Sequence, residues 1–436
     1  MKHPLILSIC CVFGSLVGFV DAADNPAKLK DAIKDTHATG EDWWVYNDLT
    51  KAREIARREN KPLFVTFRCV PCKDCEAFDA EVAAGNEQVE ELARTAFIPV
   101  RQVEMKGVDL SQFQFDYDLN WAAMFINADG TVYARYGTQS AAGADAYNSL
   151  VGLKTTMRRV LELHKNYPAN RDELVGKLGE KKPYKTALEM PGLPQKERYR
   201  GETARNNCIH CHNIHDAEHF HAISTGQYSH EMLWRWPLPD QLGIEIDAKD
   251  GRKIGKVIAD SPAAKAGLKE GESITHMDGQ AITSIADMQW VLHNKPNKDT
   301  KVAIQTTDDN ETVVSLKAGW KKNDISWRGS LYSLPPRLNV WLPEVAGAKK
   351  RRLRLADDVV PLEARWINKS RDGGKKAFAA GLRVGDVITE IEGEPNKRSP
   401  LEFQVWLKLN RKPGDILPIT VLRNGKKKEI RIPLVE

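Results

Sequence analysis

Apolar and polar positions change their period several times along the chain, and each change marks a segment. Residues 5–20 are almost continuously apolar. The run Lys51-Ala-Arg-Glu-Ile-Ala-Arg-Arg predicts a basic helix, which Asn47 or Asp48 can cap and Asn60-Lys-Pro62 stops. Residues 63–67, Leu-Phe-Val-Thr-Phe, read as a buried strand. A helix is predicted over 76–84, then strands over 97–103, 124–127 and 132–136, the last two flanking the turn Ala128-Asp-Gly130. A long helix over 141–164 closes this part. Residues 165–200 are rich in Lys, Glu and Pro, a linker composition with one short helix over 170–178. From Pro237 the pattern becomes short strands between glycine turns, with helices over 285–293 and 401–409 and a last hairpin around Asn424-Gly425. Residues 263–279 recur almost in register at 377–393, so this half holds two copies of one unit. Between the copies, residues 320–356 carry aromatics and prolines with short extended segments at most.

The strand at 63–67 runs straight into Cys69, Cys72 and Cys75, spaced by three, and then into the helix at 76. Strand, Cys-x-x-Cys, helix is an arrangement that makes a reactive dithiol, because unpaired N–H groups at a helix start favour thiolate over thiol. This stretch resembles the thioredoxin superfamily, and the order of elements extends the resemblance over residues 40–165. The resemblance implies Cys72 as the attacking thiol and Cys75 as the resolving one, with Cys69 as a third sulfur for relay. The family's usual cis-proline would fall in Trp121-Ala-Ala-Met124, where this chain has none.

Charge narrows the partners little. The chain has 64 basic and 59 acidic side chains among 436 residues. One basic cluster, Lys349-Lys-Arg-Arg-Leu-Arg354, reads as a solvated linker and not as a nucleic-acid face. The N-terminus matters more. Lys2 and His3, the apolar run and small residues around Ala22 form the pattern of a secretory leader, residues 1–22. No later stretch is long and apolar enough to cross a bilayer, so no stable membrane insertion is expected. Export to the periplasm or beyond would leave five of the seven cysteines, three in the first motif and two at 208 and 211.

Cys208-Ile-His-Cys211-His212 has the spacing that attaches a c-type haem. Thiols at this spacing can form two thioethers, and the adjoining His212 can reach the iron. His230 or Met232 is the expected sixth ligand. Two alternatives stand beside haem c. Zinc could sit on Cys208, Cys211 and two of the histidines between 210 and 230, or the pair could be a second bare dithiol.

The repeated unit closely resembles the bacterial PDZ domain through Ala263-Ala-Lys-Ala-Gly267 to Asp278-Gly279, and again from Ala377 to Gly393. That resemblance implies a groove in which a client peptide adds a strand beside a helix, with loop N–H groups holding its carboxylate. Leu242, Gly243 and Ile244 match the loop in the first copy. In the second copy the loop is expected near Val359-Val-Pro-Leu362, which lacks glycine, so that copy is expected to be structural.

The expected architecture is therefore multidomain, α/β followed by mainly β. It comprises a leader (1–22), a thioredoxin-like domain (40–165), a linker (166–199), a Cys-x-x-Cys-His segment (200–235), a PDZ domain (236–320), a second linker (321–354) and a PDZ-like domain (355–436). The expected function is an exported thiol redox protein with a bound haem for electron transfer, a redox partner protein and a PDZ-recruited client. The alternative is a non-enzymatic PDZ adaptor with a structural zinc. No Gly-x-Ser-x-Gly elbow is present to support proteolysis.

Overall fold

The computed structural model describes residues 25–37, 43–70, 76–308 and 311–436. The leader, Cys72 and Cys75 lie outside the described residues. The first domain begins with helix α1 (Pro26–Ile33), strand β1 (Val45–Tyr46) and helix α2 (Leu49–Glu59). Asp48 caps α2 by accepting from the Lys51 N–H. Next come β2 (Leu63–Arg68), α3 (Glu76–Ala80), α4 (Glu87–Ala96), β3 (Ile98–Gln102), β4 (Trp121–Ile126), β5 (Val132–Tyr136) and α5 (Leu150–Lys165). The strands form one sheet in the order β1-β3-β2-β4-β5, parallel across the first three and antiparallel at β4 and β5.

Every residue of β2 is buried because the sheet is covered on both faces. Leu63, Val65 and Phe67 enter one core with Ala52 and Ala56 of α2. Phe64 points the other way, stacking on Phe125 and packing with α4 and α5. The long helix expected over 141–164 starts only at Leu150. Gly143 adopts a positive φ, and the Ser149 side chain caps the helix by accepting from Gly152 N–H, which leaves 141–149 as a loop. Helix α4 was not expected.

Residues 166–199 are not a free linker. They form only short 3₁₀ turns, but Leu174, Ala187, Met190, Leu193 and Tyr199 are buried against the first domain. Composition reads such a belt as a linker because its apolar residues follow no period. The segment leads to helix α6 (His212–Ser224).

The second domain contains β6 (Ile244–Ile246), β7 (Ile254–Val257), α7 (Pro262–Ala266), β8 (Ile274–Met277), β9 (Gln280–Ala281), α8 (Ile285–His293), β10 (Thr300–Thr306) and β11 (Glu311–Leu316). Then follow β12 (Val340–Trp341), α9 (Gly347–Arg352), β13 (Leu362–Glu363), β14 (Trp366–Ile367), α10 (Asp372–Ala379), β15 (Val387–Ile391), β16 (Glu394–Pro395), α11 (Pro400–Asn410), β17 (Ile416–Arg423) and β18 (Lys426–Pro433). The pair β12–β14 repeats β6–β7. Ile258 N donates to Gly243 O at 2.8 Å, and Asn368 N donates to Asn339 O at 2.9 Å in the same position of the copy.

That equivalence corrects two expectations. The loop matching Leu242-Gly243-Ile244 is Leu338-Asn339-Val340, not 359–362, and the third domain begins before residue 340, not at 355. Leu338, Val340 and Leu342 lie in its core. Asn339 takes φ +51 where Gly243 takes +87, and asparagine is one of the few residues that tolerate this region.

Candidate active site

Cys69 is the first residue after β2, so a buried strand fixes its position. The chain returns to it 141 residues later: Cys69 Sγ lies 3.0 Å from His210 Nδ1. The Cys208-to-His212 segment is laid along the ends of β2 and β3. Met105 N donates to Ile209 O at 3.1 Å, and Lys106 Nζ donates to Gly201 O and Thr203 Oγ1. Ile209, Cys211, Ile214 and Ala217 join the same core as Val65 and Phe67. The segment is thus part of the first domain's wall and not a separate module.

Cys69, His210, Cys211 and His212 open on a cleft of about 520 Å³ that Trp327 and Tyr332 also line. The His210 and His212 rings stack nearly parallel with centroids 5.7 Å apart. Burial, then the neighbouring His212 and Arg198, lowers the His210 imidazole to about 4. At neutral pH it is uncharged and can accept the Cys69 S–H. His212 is held the other way: burial opposes protonation, but the Asp216 carboxylate 3.3 Å from Nδ1 raises it.

Cys208 and Cys211 are unbridged thiols, only 4 % and 8 % exposed. Burial pushes both thiols far up, with Glu104 adding to it at Cys208, and the Cys69 charge contributing at both. Cys208 Sγ lies 3.8 Å from Val103 O, where its S–H can donate weakly.

Residues 325–334, expected to be featureless, clamp this site from outside. Arg328 Nη1 donates to Asp116 at 2.8 Å and Asp118 at 3.1 Å, and Nη2 donates to Arg235 O at 2.6 Å. Ser330 bonds Asp118 through both N and Oγ, and Ser333 Oγ bonds Asp216 on α6. His215 on α6 closes the network 3.0 Å from Asp118. Burial opposes ionisation of Asp118, but His215 and then Arg328 hold its carboxyl well below the usual range. His210, Asp118 and Arg328 carried no sequence signal for this role, since their partners lie far along the chain.

Of the three groups expected to attach haem, Cys211 and His212 line the cleft and Cys208 does not. His230 is exposed on a 3₁₀ turn and Met232 half-buried beside it, and neither lines the cleft. The zinc set is not assembled either. Among the described residues, the one group of potential ligands within 4.8 Å of each other is Asp116, Asp118 and His215, whose carboxylates already bind Arg328 and Ser330.

In the second domain Leu242 and Ile244 are fully buried, and Gly243 is required: a Cβ there would come within 2.1 Å of Ser261 Cβ. Its helix α8 is buried from Ile285 through Leu292. Asp287 pairs with Lys177 at 2.8 Å and accepts from Arg135 N, while Arg135 lies 3.9 Å over the Trp290 ring. Gln289 bonds Thr138 Oγ1 and Trp236 O. In the third domain the equivalent α11 keeps Leu401 exposed, and Trp341 and Trp366 form an exposed cross-strand pair.

The thioredoxin-like family matches residues 43–128, and the PDZ domain family matches residues 241–316 and 372–434. The chain joins a thioredoxin-like domain to two PDZ domains. A probable periplasmic serine endoprotease DegP-like protein of Marinomonas sp. (strain MWYL1) is 28 % identical over 181 residues, 41 % of this chain and 36 % of that protein. A protein of the same description from Pseudomonas putida (strain W619) is 27 % identical over 207 residues, 44 % of this chain and 39 % of that one. The chain thus spans under two-fifths of the length of these curated relatives. A solved structure, HtrA-type protease AlgW with tripeptide, shares 23 % identity over 22 % of this chain and 30 % of its own, with a TM-score of 0.18. Among the described residues no helix is long and apolar enough to cross a membrane.

Proposed function

We propose that the chain is an exported thiol redox protein that acts on a client held by its second PDZ domain. The observation that carries the redox reading is the approach of Cys69 Sγ to His210 Nδ1, 3.0 Å, at the mouth of an open cleft. A neutral imidazole beside a thiol accepts its S–H and can carry the proton transiently as the sulfur attacks a disulfide, although burial lowers its basicity. Cys72 and Cys75, which the thioredoxin resemblance marks as the redox pair, follow within six residues and belong to the same motif. Export is supported by the leader pattern and by relatives named periplasmic, a compartment where disulfides persist.

The second PDZ domain is the better dock for a client. The first PDZ domain's groove helix α8 is buried along its length and bonded to the thioredoxin-like unit. Helix α11 packs Val405, Lys408 and Leu409 on residues 325–336 but leaves Leu401 and Glu402 exposed, and the Trp341–Trp366 pair is exposed as well.

Reduction of insulin disulfides by the mature chain, with dithiothreitol as electron donor, tests it. We expect turnover above the dithiothreitol background, lost at least about tenfold in Cys69→Ser. Background rates from the mature protein, with intact binding of C-terminal peptides, would leave an adaptor and remove the redox role.

A further inference from the structure

We propose that Cys208 and Cys211 form a second redox dithiol that exchanges electrons with the first motif inside the chain, through Cys69. This rests on the reading that the first motif is redox active. Three observations lead to it.

The first is placement. Cys69 and Cys211 share the walls of two voids, the open cleft and a crevice of about 10 Å³ between β3 and the Cys208–Cys211 segment. His210, which contacts Cys69, stands between the two cysteines of the second pair in sequence. The second is spacing. Cys-x-x-Cys running into a helix is the arrangement of an exchangeable dithiol, and Cys211 sits at the residue before α6. The third is enclosure. Both thiols are buried and held protonated, and Cys208 does not line the cleft, so solution disulfides reach the pair poorly except through Cys211, which shares its walls with Cys69. A dithiol built this way reacts with a neighbour in preference to solution partners.

The exchange balances without a further reactant. Cys69 thiolate attacks a client disulfide R–S–S–R′, its proton passing to His210. The Cys69–S–S–R bond forms, and R′–S⁻ leaves and takes that proton. Cys211 then attacks Cys69 sulfur, R–S⁻ leaves with the Cys211 proton, and a Cys69–Cys211 disulfide forms. Cys208 attacks Cys211, Cys69 leaves as a thiolate and keeps the Cys208 proton, and a Cys208–Cys211 disulfide closes. The client gains two electrons and two protons, and the second dithiol loses them.

The test uses the mature full-length chain, reduced, freed of reductant, and mixed with insulin as the disulfide. Samples quenched in acid are alkylated and their disulfides mapped by mass spectrometry. The wild type should accumulate Cys208–Cys211, Cys208→Ser should trap Cys69–Cys211, and Cys69→Ser should slow oxidation of the second pair at least about tenfold. Three results would overturn the proposal. One is oxidation of Cys208 and Cys211 at the same rate without Cys69. Another is a second pair that stays reduced, or carries a covalent adduct such as haem, while the wild type reduces insulin; the proposed function then survives alone. The last is a wild type that reduces no insulin, which removes both together. The wild-type map needs no substitution, so a variant that fails to fold does not decide the matter.

Discussion

Cys208 and Cys211 show how strongly a side chain's surroundings set its chemistry. The thiolate is the reactive form, and burial penalises it. Iodoacetamide at pH 7 should therefore label both residues more than about tenfold slower in the native protein than in urea, read by mass spectrometry. The same shift links to stability. The folded thiols hold their protons above the unfolded value of about 8.5, so the folded state binds more protons and stability falls as pH rises. The contribution is complete below that value and is lost progressively above it. Tyrosines ionise in the unfolded chain only near 10, which leaves pH 8–10 mainly to the thiols. The urea midpoint should drop across this interval, and drop less in the Cys208→Ala/Cys211→Ala variant. Asn339 offers a backbone counterpart. Asn339→Gly should be tolerated, whereas Asn339→Val forces a β-branched residue into the left-handed region and should cost about 1–2 kcal/mol, measured by urea unfolding of the whole chain.

At the scale of elements, the segment at 325–334 decides whether α6 stays on the sheet. Arg328 is buried with Asp116 and Asp118, and removing one partner of such a group leaves uncompensated charge. Arg328→Ala should destabilise the first unfolding transition by about 3–5 kcal/mol and open the cleft, seen as faster labelling of Cys211. Strands, turns and the capped helix α2 were legible because each rests on local signals, such as the apolar run at 63–67 and Asp48. Residues 166–199 and 325–345 were not legible. Their stability comes from partners distant in sequence, such as Gln114 for Gly179 and Asp118 for Ser330, and no period or turn signal encodes those. The Leu338-Asn339-Val340 loop carries Asn339 where its counterpart carries Gly243, so it lacks the glycine that marks the first copy.

For the whole molecule, the first PDZ domain is built as part of a larger body. Its α8 presents Asp287 and Trp290 to Arg135, Lys177 and Gly176 of the preceding chain. Residues 236–320 expressed alone would expose Trp290 and leave Asp287 without its cations. We expect that fragment to melt well below the intact chain or to aggregate, checked by scanning calorimetry and light scattering, because a buried charge loses its partners and an aromatic face its cover. The sequence by itself determined the unit types, their order, the duplicated β-rich unit and the two cysteine motifs, since these depend on periodicity, turn residues and spacing along the chain. The tertiary structure alone decided that Cys69 meets the second motif, with His210 against it, that Cys208 and Cys211 are buried thiols, and that the first PDZ domain's groove helix is buried along its length. Those outcomes depend on which distant surfaces exclude water together, and burial of that kind is set by packing and not by neighbours in sequence.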